Sequence, residues 1–81
     1  MHRLTFYTTP GCHLCEQAEE LLRTLQESGL PLHWESVDIA VDDALYARYG
    51  WRIPVLQRSD GEELGWPFDS EAARAFVTAG Q

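Results

Sequence analysis

The sequence predicts an α/β fold, a four-stranded mixed sheet flanked by helices in the order β-α-β-α-β-β-α. Three observations carry that prediction. Apolar residues recur with a helical period after Cys12 and again after Pro67-Phe68. Strand-forming runs open the chain at Leu4-Thr5-Phe6-Tyr7 and recur from Leu32 and from Ile53. The opening strand, helix and strand imply a right-handed parallel crossover, and a tight turn at Ser59-Asp60-Gly61 makes the last two strands antiparallel.

Residues 2–8 form the first strand, closed by the turn signal Thr9-Pro10-Gly11. Leu14, Ala18, Leu21, Leu22 and Leu25 then trace one helical face. Glu16, Glu19, Glu20, Arg23 and Glu27 line the other, with Glu19 and Arg23 in the favoured i,i+4 order. Gly29 and Pro31 stop this helix. Leu32 to Ile39 is the second strand. Asp42 caps a short helix that carries Leu45 and Tyr49 on one face and closes at Gly50. Ile53-Pro54-Val55-Leu56 begins the third strand at a proline, and Glu62 to Trp66 returns as the fourth. Asp69 or Ser70 caps the final helix, with Ala72, Ala73, Phe76 and Val77 facing inward.

The chain reads as one domain over 1–81, without repeats, linkers or low-complexity segments. Six basic residues, all arginine, against thirteen acidic ones leave a formal charge of −7. Such a surface repels phosphate backbones and anionic lipid, which argues against nucleic acid and membranes as partners. Met1-His2-Arg3-Leu4 runs into no apolar stretch of signal-peptide length, so the expected location is cytoplasmic. A monomer is the expected state.

Two cysteines, Cys12 and Cys15, stand two residues apart where a strand ends and a helix begins. A loop that short removes little entropy from the unfolded chain, so the pair is a poor structural staple. The first turn of a helix offers unpaired amide N–H groups and the positive end of the macrodipole, which favour a thiolate over a thiol. Cys12, at the N-cap or first position, gains most, while Cys15 points inward and is less acidic. That asymmetry suits two-step thiol–disulfide exchange. His13 adds positive charge beside the thiolate if protonated and is a polar surface residue if neutral; no carboxylate can be placed from the sequence to hold that charge. No metal ligands are assigned, because Cys12, His13 and Cys15 cannot converge on one ion from a single turn and no second CxxC exists. His2 and His33 remain spare.

The segment Phe6-Tyr7-Thr8-Thr9-Pro10-Gly11-Cys12-His13-Leu14-Cys15-Glu16, followed by Ile53-Pro54-Val55, resembles the small bacterial glutaredoxin-like proteins of the thioredoxin superfamily. The resemblance covers essentially the whole chain. It implies a thioredoxin-like fold and a thiol-disulfide oxidoreductase that reduces protein or small-molecule disulfides. Cys12 matches the nucleophile, Cys15 the resolving cysteine and Pro54 the cis-proline beside them. A cis bond at Ile53-Pro54 leaves the Ile53 backbone to pair with an extended peptide. No tightly bound cofactor is implied; glutathione or a flavoprotein reductase is the implied electron donor. This chain has His13 where glutaredoxins usually carry proline. It reads Gly65-Trp66-Pro67-Phe68-Asp69 where they hold the γ-glutamyl end of glutathione.

Glutathione is an anion, and Arg48 and Arg52, flanking the Pro54 loop, are the cations best placed for it; the alternative is two solvated arginines on an acidic surface. Trp51 and Trp66 read as covers over the end of a small core, with docking surface for a protein disulfide as the alternative. From a different functional class, a non-catalytic module that binds a partner protein or a thiolate-ligated iron–sulfur cluster also stays open.

Overall fold

The computed structural model describes residues 1–79; Gly80 and Gln81, part of the expected 1–81 domain, lie outside the described residues. Four strands, β1 (His2–Thr8), β2 (Leu32–Asp38), β3 (Val55–Arg58) and β4 (Glu63–Gly65), lie in the order β2-β1-β3-β4. The helices are α1 (His13–Glu27), α2 (Asp43–Tyr49) and α3 (Ser70–Ala79). β1 pairs parallel with β2 and antiparallel with β3, and β3 pairs antiparallel with β4. The predicted order of elements is therefore the one found, with a short 3-10 turn at Ile39–Val41 taking the last residue expected in β2.

Alternation along β1 separates two apolar layers. Leu4 and Phe6, with Leu56, face α1 and α3 and join Cys15, Ala18, Leu22, Leu25, Ala73 and Val77 in the main core. Tyr7 and Val55 face the other way, where Ile39 and Tyr49 form a smaller cluster under α2. Two stripe assignments shift by one position. Leu14 is 44% exposed while Cys15 is buried, so the inward face of α1 starts one residue later than expected. Ala72 is likewise exposed, and Ala73 and Val77 carry the buried face of α3.

Local chemistry fixes the element ends. The Asp42 carboxylate accepts from the N–H groups of Ala44 and Leu45 and so caps α2. Asp69 does the same for α3 through the N–H of Ala72 at 2.8 Å. Gly29, at φ +107°, takes the left-handed step after the Ser28 cap of α1 that other residues resist. No described helix is long and apolar enough to cross a membrane.

This topology decides where the chemistry sits. Thr8, the last residue of β1, pairs with Asp38 on one side, and its neighbour Tyr7 pairs with Val55 on the other. The turn into α1, the end of β2 and the Ile53-Pro54 approach to β3 therefore meet at one end of the sheet. Arg3 and Arg58 belong to the opposite end, where Leu4 pairs with Arg58.

Candidate active site

The turn that leaves β1 delivers Cys12 to the start of α1. Gly11 adopts φ +79°, a conformation that costs a side-chain-bearing residue strain, and the Cys12 N–H closes the turn on the Thr9 carbonyl at 3.3 Å. Cys12 is the N-cap of α1, in extended conformation, and its sulfur accepts the Cys15 amide N–H at 3.2 Å. Cys15 is buried, 3% exposed, in the main core, and Cys12 packs half-buried against that core. The two are joined by a disulfide, with their Cα atoms 5.2 Å apart. The reduced pair would leave the Cys12 sulfur at the mouth of the site, facing an amide donor and the helix start, with Cys15 directly behind it.

His13 projects into solvent, and its Nδ1 lies 3.4 Å from the Glu16 carboxylate. The sequence placed no carboxylate there; Glu16 stands one helical turn on, within reach because i,i+3 positions share a face. Asp38 ties the other wall together, accepting from the Thr9 hydroxyl at 3.2 Å and from the Ala40 N–H at 2.9 Å. Between these walls runs an open groove of about 310 Å³ that touches both cysteines and is lined by the carboxylate residues Glu16, Glu19 and Asp38.

On the β3 side, the Ile53–Pro54 peptide bond is cis, as is Trp66–Pro67, which the sequence did not signal. Pro54 is fully buried and Ile53 packs against both apolar clusters, one of which contains Cys15. The Ile53 backbone is less free than expected. Its N–H donates to the Tyr49 carbonyl at 3.1 Å, and the Trp66 N–H takes the Pro54 carbonyl at 3.1 Å.

Neither arginine is simply solvated. Arg52 forms an ion pair with Glu63 at 3.1 Å, and both guanidinium groups lie over the Tyr49 ring, Arg48 at 5.4 Å and Arg52 at 5.5 Å from its centroid. Glu63 is the residue the sequence did not reveal. Its carboxylate also accepts from the Tyr49 hydroxyl and from Gln57, which in turn accepts from Tyr7 at 2.9 Å, with the two tyrosines stacked at 4.2 Å. These bonds, the Tyr49 hydroxyl first and Arg52 after it, hold the Glu63 carboxyl below its ordinary range despite partial burial. Burial and the same hydrogen bond push the Tyr49 phenol up.

A carboxyl whose pKa is depressed by folding contributes stability above its unfolded value and loses it as pH falls through the folded one. Glu63→Gln is therefore expected to destabilise most near neutrality, the deficit narrowing as acid protonates the wild-type carboxyl. Urea unfolding at stepped pH checks this, and a deficit that widens toward acid would contradict it.

Trp51 is fully exposed and covers no core, contrary to expectation, whereas Trp66 packs half-buried against the main core and edge-on to Phe68. Among the described residues, no group of three or more His, Cys, Asp or Glu side chains is placed to hold a metal ion.

Residues 3–78 match the Glutaredoxin-like domain family. No curated protein sequence matches the chain. Among solved structures, protein XcR50 from X. campestris is 45% identical, with 94% of this chain and 96% of that one covered at a TM-score of 0.79. Protein Ne2328 from Nitrosomonas europaea is 32% identical, with coverage of 94% and 91% and the same TM-score of 0.79. A mutant thioredoxin from Halobacterium salinarum is 25% identical and has a TM-score of 0.72, with 96% of this chain and 73% of that one covered.

Proposed function

The chain belongs to the glutaredoxin-like domain family and has the thioredoxin fold, and from that footing we propose that it is a dithiol–disulfide oxidoreductase. A redox role for the CxxC pair accords with the family and the fold. One observation supports the finer reading most directly: the Cys12 sulfur caps α1 and receives the Cys15 amide, while Cys15 is buried behind it within bonding reach.

In this reading the Cys12 thiolate attacks one sulfur of a substrate disulfide and expels the other as a thiolate, which takes a proton from solvent. The Cys15 thiol then loses its proton, attacks the Cys12 sulfur of the mixed disulfide and releases the second substrate thiol. The substrate gains two electrons and two protons, and the Cys12–Cys15 disulfide is the oxidised product. A thiol such as glutathione, or a flavoprotein reductase, returns those electrons. Work as a reductant belongs in a reducing compartment, which is why the cytoplasm is proposed as its location.

The test is a redox titration of the purified protein in glutathione buffers, read by mass. A single transition between dithiol and disulfide is expected, with a tenfold change in the equilibrium ratio for about 30 mV. Supplying glutathione and a flavoprotein reductase separately then identifies the donor. A pair that does not interconvert at any poise would sink this reading in favour of a binding module.

A further inference from the structure

The charge around the cysteines is arranged unevenly, and the arrangement bears on which disulfides can approach. Resting on the dithiol reading above, we propose that the site discriminates by charge, accepting cationic disulfides and turning away anionic ones, with Glu63 as the residue that denies Arg52 to an incoming carboxylate.

Two independent features carry this. On the β2 side, the groove that touches Cys12 and Cys15 presents Glu16, Glu19 and Asp38. Their neutralisation is incomplete. Among the described residues, Glu16 pairs with the His13 imidazole alone, and Asp38 accepts from neutral donors, a hydroxyl and an amide. Glu19 shares the single Arg23 guanidinium with Glu20, at 3.4 and 3.9 Å. A carboxylate-bearing thiol entering here meets like charge, and an ammonium meets opposite charge.

On the β3 side, the two arginines next to the Ile53-Pro54 loop would be the natural counter-ions for an anionic substrate. Arg52 is already committed. Its partner Glu63 is itself fixed by Tyr49 and Gln57, with only 15% of its side chain exposed, while Arg52, 47% exposed, reaches that fixed carboxylate through one guanidinium nitrogen. Arg48 stacks on the same tyrosine and lies in the field of the same carboxylate. An anion would have to displace a carboxylate held by three hydrogen-bond donors. The overall charge of −7 works in the same direction at longer range.

Single-turnover oxidation of the reduced full-length protein tests the proposal with three probes: cystamine, a dication; hydroxyethyl disulfide, neutral; and dithiodipropionate, a dianion. Each rate is divided by that of mercaptoethanol thiolate with the same probe, which removes the intrinsic reactivity of the disulfide. The expected order is cystamine, then neutral, then dianion, with roughly tenfold or more between the ends at low ionic strength. In 1 M salt, where the Debye length falls to about 3 Å, the spread is expected to collapse to about twofold. Glu63→Gln, by releasing Arg52, should raise the ratio of dianion to neutral rate by about fivefold, and adding Arg52→Gln should reverse that gain. A normalised dianion rate equal to or above the dication rate in the wild type would overturn the proposal, as would a ratio that Glu63→Gln leaves unmoved. The salt series needs no variant, so a failure of Glu63→Gln to fold does not remove the test. Equal normalised rates for all three probes would defeat charge selection alone. No oxidation by any probe would instead defeat the dithiol reading.

Discussion

Cys12→Ser is expected to lower disulfide reduction by a factor of about 10³ or more, while Cys15→Ser is expected to leave the first attack intact and stop the reaction at a mixed disulfide. The asymmetry follows from position. Cys12 is the half-buried N-cap whose sulfur receives an amide hydrogen bond, and a serine hydroxyl there preserves the cap but supplies no nucleophile at neutral pH. Cys15 is buried in the main core and is bonded to the Cys12 sulfur. Turnover of hydroxyethyl disulfide measures the first effect, and the mass of Cys15→Ser protein after exposure to the same disulfide measures the second. A one-to-one adduct on Cys12 is expected, and alkylation at stepped pH should show Cys12 reacting as thiolate at lower pH than Cys15. Activity in Cys12→Ser within tenfold of wild type would mean that the exchange does not run through this sulfur.

The parts of this site that the sequence disclosed are those built from neighbours along the chain. Strand alternation up to Thr8, the Thr9-Pro10-Gly11 turn and the helical period after Cys12 are local signals, and together they place the cysteines at a helix start before any tertiary contact is known. The error at Leu14 comes from the same source. In the first turn a stripe can be drawn to take in both of two adjacent residues, and only packing settles that Cys15, beside Phe6 and Leu22 in the common core, is inside while Leu14 stays exposed. Ala72 and Ala73 pose the same ambiguity in α3.

Glu63 was not legible because nothing near it in sequence needs it. Its partners Tyr49, Arg52 and Gln57 come from α2, from the loop before Pro54 and from β3, and they converge only when β4 folds back on β3. An acidic residue in a short return strand reads as solvent-facing. The one available signal was the cluster of Tyr7, Tyr49, Arg48 and Arg52, whose polar ends required an acceptor. The Arg52–Glu63 pair was missed for the same reason, since an arginine beside a substrate loop looks unpaired until its carboxylate is found. Trp51 misled for the opposite reason. Large aromatics in small domains usually seek cover, but this one follows Gly50 at the exposed end of α2, beyond the edge of the smaller cluster. The isomer of the Trp66–Pro67 bond carries no local signature of comparable strength.

Leu22→Ala is expected to be the most damaging single truncation of the core, destabilising by about 3–5 kcal/mol. Leu22 has no exposed surface and lies in the cluster where Leu4, Phe6 and Leu56 of the sheet meet Ala73 and Val77 of α3. Ala18 and Ala73, also without exposed surface, leave α1 and α3 no side-chain length with which to fill a void. The hole therefore stays open, and its cost adds to the lost burial of the leucine. Domains of this kind hold about 5–15 kcal/mol in all, and small ones lie toward the lower end, so the variant would retain little margin. The urea midpoint should fall with an unchanged slope, and the melting temperature should drop by about 4–8 °C for each kcal/mol lost. Leu22 stands two turns beyond Cys15 on the same buried face of α1, yet the capping bond to Cys12 is made in the first turn of the helix. Below its unfolding transition the variant should thus keep the normal first attack at Cys12, separating the core that supports the site from the groups that perform its chemistry. A loss of stability under about 1 kcal/mol would show that α1 and α3 can close the gap, and so that the two alanines do not fix their spacing.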